Sequence, residues 1–203
     1  MPKIDHEERK ARIIAASIRL FAKHGYSAVN FGMIASECGI ARTLLYGYFK
    51  DKRSIFNAAV DGVTARVERK YAEVVRSRQS ADAKLRQICI TVLAMLFDNR
   101  EFVCVIADQI AFLRRKGEDV SGKVVEHTVG VKKIMGVLIG EAIRRREYDS
   151  RVNIQRSVNL LYSQFEAAAL QLAITGNAEF SECIDRLDGI LFALRSPDAP
   201  RSM

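Results

Sequence analysis

The chain of 203 residues contains no tryptophan, only three prolines and three histidines, and four cysteines, and each shortage closes a class of explanation. Cys38, Cys89, Cys104 and Cys183 are far apart, with no CxxC pair and no Cys/His cluster of metal-ligand spacing. That pattern predicts reduced, mostly buried thiols rather than a disulfide framework or a zinc site. No apolar run approaches the roughly 20 residues that span a bilayer, so no membrane partner is expected. The opening MPKIDHEERK is charged rather than apolar, which predicts no signal peptide and a cytoplasmic location. There is no HExxH, no phosphate-cradling glycine loop and no nucleophile with a nearby histidine. An enzyme is therefore not expected, nor a cofactor or metal. Strand alternation with Asn-Gly or Asp-Gly turns is missing too, as is any repeat of the 20 to 50 residues a solenoid needs.

What remains is helical periodicity from end to end, with 49% hydrophobic and 28% charged residues, so the expected fold is all-α and ordered. The pattern predicts nine helices, near 7–24, 31–38, 41–48, 51–76, 81–97, 100–116, 121–147, 151–175 and 178–195. Ile14, Ile18 and Phe21 share one face of the first. Gly25 stops it, and Asn30 suits the N-cap of a second helix carrying Phe31, Ile34, Ala35 and Cys38. Gly39 lies where that helix must turn, because glycine reaches left-handed angles without steric cost. Asp51 reads as the cap of the fourth.

Charge is unevenly placed. Residues 1–53 hold 10 of the 32 Lys/Arg and 5 of the 24 Asp/Glu, leaving 22 against 19, so a quarter of the chain carries +5 of the net +8. A small basic region beside a near-neutral one suggests a polyanion-binding module joined to something else. Within it, GIARTLLYGYFKDKRSIF (39–56) follows the order helix, glycine turn, short helix, the helix-turn-helix arrangement that places its second helix in the major groove. Leu45 and Phe49, four apart, turn inward and leave Arg42, Thr43, Tyr46 and Tyr48 on the outer faces, where they can donate to phosphates and base edges. Lys50, Lys52 and Arg53 add charge at the start of the fourth helix.

Residues 13–56 resemble the N-terminal DNA-binding domain of the TetR family of bacterial transcriptional regulators, through Ala16, Leu20, Phe21, Gly25-Tyr26, Ile34-Ala35, Gly39-Ile40, Leu45-Tyr46, Tyr48-Phe49 and Lys52. The resemblance implies a helix-turn-helix domain over 1–53 and a helical ligand-binding and dimerisation domain over 54–203. It further implies that Arg42 and Thr43 read bases, that Tyr46 and Tyr48 contact phosphates, and that Lys52 anchors the fourth helix to the DNA backbone. Three positions depart from the family pattern. Ala41 stands where a serine commonly caps the third helix, Leu44 replaces a common threonine, and Gly47 weakens a short helix while permitting close backbone approach. Leu44 and Gly47 thus join the candidate DNA-contacting set, and the operator sequence is left open.

Two apolar sides mark each of the last two helices. Val158, Leu161, Phe165, Ala168 and Leu172 are joined by Leu160, Gln164, Ala167 and Ile174; Phe180, Ile184, Leu187, Leu191 and Leu194 have Ile190 and Phe192 outside their stripe. Burial on two sides predicts a homodimer, with Leu160, Gln164, Ala167, Leu187 and Leu191 as candidate interface residues in the four-helix manner of the family. The resemblance also implies a small-molecule effector. Candidates for its contacts are Gln109 and Phe112 in one apolar stripe, His127, Thr128 and Met135 in another, and Tyr162 with Glu166 one turn later. The expected function is a dimeric repressor on a pseudo-palindromic double-stranded operator, released by an effector. The alternative is a TetR-like nucleoid or partner-binding protein with no small ligand.

Overall fold

A computed structural model describes residues 3–117 and 123–196; among them lie nine α-helices and one isolated bridge, Tyr148 to Arg195, with no strand. The helices are α1 (Lys3–His24), α2 (Phe31–Cys38), α3 (Arg42–Tyr48), α4 (Lys52–Val75), α5 (Ala81–Asp98), α6 (Arg100–Arg115), α7 (Lys123–Arg144), α8 (Ile154–Ile174) and α9 (Phe180–Leu194). The all-α expectation holds helix for helix, and α1 begins four residues before the predicted 7.

Local chemistry sets the boundaries. The Asn30 side chain accepts from the Met33 amide at 3.1 Å to open α2, and Gly39, at φ 64°, closes it in the left-handed conformation. Asp51 and Ser54 form a reciprocal cap at the start of α4: the Ser54 amide donates to Asp51 Oδ1 at 2.7 Å and the Asp51 amide to Ser54 Oγ at 3.2 Å. Ala41 gives α3 no side-chain cap, as its residue type dictates.

The chain divides into two compact units. The first runs through Val63 and takes in, from further along, the segment from Glu101 that carries α6; the second comprises Thr64–Arg100 and the chain from Val125 onward. By packing, the first compact unit thus extends past the expected division between 53 and 54 and includes α6. The reason is packing: Phe102 and Val105 of α6 are buried in the same core as Ile13, Phe21, Tyr26, Phe31, Ile34, Leu45 and Ile55.

In the second unit α5, α8 and α9 pack on one another around Leu85, Ile88, Leu93, Leu161, Phe165, Leu187 and Leu191. Polar groups there are paired internally. The Glu147 carboxylate accepts the Ala81 and Asp82 amides at 3.1 and 2.8 Å, satisfying donors that the first turn of α5 leaves free. Asp82 in turn accepts from the Tyr148 hydroxyl and the Arg195 guanidinium, both at 2.8 Å. Burial first, then the Asp82 charge, raises the Tyr148 phenol above its ordinary range. Cys89, wholly buried, is pushed up to about 12 by desolvation and is a packing residue, as expected from its spacing.

Candidate nucleic-acid interface

The side chains of α3 sort by face. Leu45 is fully buried beneath the helix, while Arg42, Thr43, Leu44, Tyr46 and Gly47 are exposed and Tyr48 is half-buried. Tyr46 is 52% exposed although its ring lies 4.8 Å from that of Phe31, so it stands on the surface rather than in the core. The Arg42 guanidinium donates to the Tyr46 hydroxyl one turn away at 3.3 Å and lies 5.8 Å from its ring, which limits the rotamers an exposed arginine samples. A Cβ added at Gly47 meets nothing within 4 Å, so packing within the chain does not require glycine there.

Beside α3 opens a cleft of about 530 Å³, lined by the α1–α2 loop, by Phe31, Arg42 and Tyr46, and by Lys50, Asp51, Lys52 and Arg53. Among the described residues no carboxylate lies within ion-pair distance of Arg42, Lys50 or Arg53. Arg42, Lys50 and Arg53 outnumber the one carboxylate of the cleft, Asp51, which caps α4, and this positive balance favours an anion.

Lys52 is not one of them. Its ammonium donates to the carbonyls of Tyr26 at 2.7 Å, Ser27 at 3.2 Å and Val29 at 2.6 Å, and lies 4.8 Å from the Tyr26 ring. An ammonium has three N–H groups, and these three bonds leave none for a phosphate. The expected phosphate anchor is instead a clamp on the α1–α2 loop, its pKa lowered by desolvation. Sequence reasoning also missed His6, whose ring stacks on Tyr48 with centroids 4.6 Å apart. Only the pairing of distant segments brings those two together.

The candidate effector residues fall in both units. Gln109 is buried and its Oε1 has no hydrogen-bond partner, on the α6 face that carries Phe102 and Val105; Phe112 is half-buried under the Lys116 ammonium, 4.7 Å from its ring. In the second unit Thr128 Oγ1 and Tyr162 Oη are 3.0 Å apart, with the Lys132 ammonium 4.5 Å from the Tyr162 ring. Met135 is fully buried and Glu166 is exposed. The His127 side chain lies outside the described residues. Among the described residues no cluster of three His, Cys, Asp or Glu could hold a metal, and no helix is long and apolar enough to cross a membrane.

Of the candidate interface residues, Leu160 is half exposed and Gln164 and Ala167 are half-buried, whereas Leu187 and Leu191 are 0% and 1% exposed. Those two leucines fill the core of their own chain and have no surface to offer a second copy. The large apolar groups of α8 and α9 that remain open are Ile154, Leu160, Leu170, Ile174, Phe180 and Phe192.

A capped helix, a left-handed glycine, and a short helix with a polar outer face and one buried leucine make this a helix-turn-helix protein. Residues 13–59 match the family model described as bacterial regulatory proteins, tetR family. The uncharacterized HTH-type transcriptional regulator YerO of Bacillus subtilis (strain 168) is 48% identical over 54 residues, 27% of this chain and 19% of that protein. The chain therefore aligns with about a fifth of that relative's length. A TetR transcription regulator from Haloarcula marismortui superposes with a TM-score of 0.78 at 16% identity, over 94% of this chain and 100% of that one. FadR from Bacillus subtilis, solved in complex with stearoyl-CoA, does so at 0.72 and 19% identity, over 92% and 97%. Residues 13–59 thus carry the N-terminal domain of the tetR family, and the chain as a whole shares the fold of solved TetR regulators.

Proposed function

We propose that this regulator binds a pseudo-palindromic DNA operator as a homodimer, blocks transcription there, and is released by a small-molecule effector. The observation that carries the DNA-binding part is the outer face of α3, where Arg42, Thr43 and Tyr46 are exposed beside a cleft rimmed by Lys50 and Arg53. Arg42 reads a base, its fork matched to guanine O6 and N7. Thr43, Tyr46 and Tyr48 contact the sugar-phosphate backbone or flanking bases, and Lys50 and Arg53 supply the phosphate charge that Lys52 does not. Leu44, 38% exposed, offers an apolar contact to a thymine methyl, and Gly47 allows the backbone a close approach.

Pairing runs through α8 and α9. Leu170, Ile174 and Phe192 are 59%, 72% and 71% exposed in the single chain, and apolar groups that open to water on adjacent helices are the mark of an interface. Light scattering after size exclusion is expected to give twice the 22.8 kDa of one chain; a species of one chain's mass at low micromolar concentration would contradict the dimer.

The relation to a FadR solved with stearoyl-CoA makes a long-chain acyl-coenzyme A the first effector to test. The hydroxyls of Thr128 and Tyr162 and the Lys132 ammonium are the polar groups that would meet it in the second unit. Selection of bound sequences from random DNA, followed by titration of the selected duplex with and without stearoyl-CoA, tests each part. Enrichment of an inverted repeat with half-sites about 34–36 Å apart supports the dimeric operator; loss of binding on adding stearoyl-CoA supports the effector class.

A further inference from the structure

The α1–α2 loop is held from two directions. Lys52 of α4 takes three of its carbonyls, and Asp108 of α6 accepts the Tyr26 amide on Oδ2 at 3.3 Å. Tyr26 is also reached through aromatic packing: its ring lies 6.2 Å from that of Phe56, which lies 5.7 Å from Phe102 of α6. The same helix therefore meets this residue at its backbone and, through Phe56, at its ring. Phe102 and Val105, three apart, are buried on one face of α6, and Asp108, one turn on from Val105, lies at its exposed edge.

We propose that Asp108 is a positioning residue for DNA recognition: by holding the Tyr26 amide it fixes the loop from which α2 starts, and so sets where α3 stands. Tyr26 donates to a residue 82 positions further along the chain. The loop supplies one wall of the cleft beside α3, from Tyr26 to Asn30, so a change in its path changes both the cleft and the first turn of α2. Whatever displaces α6 is then delivered at the backbone amide rather than through side-chain packing alone. The inference rests on the DNA-binding reading for its consequence, but the grip itself is observable without DNA.

The test uses the full chain, with Asp108→Ala and Asp108→Asn, amide hydrogen exchange resolved at Tyr26 and Leu45, and titration of the selected duplex. Asparagine keeps an acceptor oxygen and removes the charge; alanine removes both. In Asp108→Ala, Tyr26 exchange is expected to rise about tenfold while Leu45 is unchanged, and operator affinity to fall about fivefold, the size of one lost hydrogen bond. Asp108→Asn is expected to stay near wild type in all three. Wild-type exchange at Tyr26 in Asp108→Ala, an equal rise at Leu45, or an asparagine variant as impaired as alanine would each overturn the proposal. If the wild-type protein enriches no DNA sequence, the operator reading fails, and the exchange result still decides whether Asp108 holds the loop.

Discussion

The two units of the chain treat their polar groups differently. In the second, Asp82, Tyr148, Arg195 and Glu147 are bonded to one another or to the amides of α5, so their hydrogen-bonding capacity is used in holding helix ends together. On the first, Thr43, Lys50 and Arg53 face outward without a hydrogen bond or ion pair among the described residues, and Arg42 bonds to its neighbour Tyr46. Water satisfies such groups at little cost, and a phosphate or base edge can replace that water. On the proposed function, the contrast separates groups that stabilise from groups that would recognise DNA. Lys52 shows that charge alone does not make the distinction: it sits among the recognition residues and acts as a stabiliser.

Each prediction puts pressure on that contrast. Lys52→Met removes a cation from three carbonyls, and urea denaturation is expected to show a loss of about 2–4 kcal/mol, with operator binding weakened in step. Were Lys52 a phosphate anchor, stability would stay near wild type and only the salt dependence of binding would change. Arg42→Ala is expected to cost about 1–3 kcal/mol of operator binding and nothing measurable in stability, the reverse pattern from a group in the second unit. Tyr148→Phe supplies that reverse case: it leaves Asp82 with one bond fewer, so thermal or urea unfolding is expected to move by about 1 kcal/mol while operator affinity stays the same. Gly47→Ala is the smallest. Alanine stabilises a helix relative to glycine by up to about 1 kcal/mol, and the open space at this position admits it. The variant is expected to be slightly more stable and to bind operator less well, a combination that an ordinary surface position would not give.

Much of the first unit was legible in the sequence because its signals are local. Asn30, Gly39 and Asp51 mark helix ends within four residues of themselves, and the four-residue spacing of Leu45 and Phe49 identifies the inner face of α3 without knowledge of anything else. What escaped depends on partners far along the chain. Lys52 looks like a phosphate ligand until the carbonyls of Tyr26, Ser27 and Val29 are brought under it. The place of α6 in the first unit follows from Phe102 and Val105 meeting a core built before residue 61, which no window of sequence contains. Leu187 and Leu191 fail as interface residues for a related reason. A helix with apolar groups on two sides does not reveal which side its own chain covers, and here the more regular stripe is the inner one.

The central claim is that Arg42 on the exposed face of α3 reads sequence while its neighbours supply affinity. Parallel selections from random DNA with the wild-type protein and with Arg42→Ala test it most directly. The same half-site spacing is expected in both, with preference for guanine lost at one position of each half-site in the variant. An unchanged motif from Arg42→Ala, or one whose spacing shifts while every base preference is kept, would contradict it.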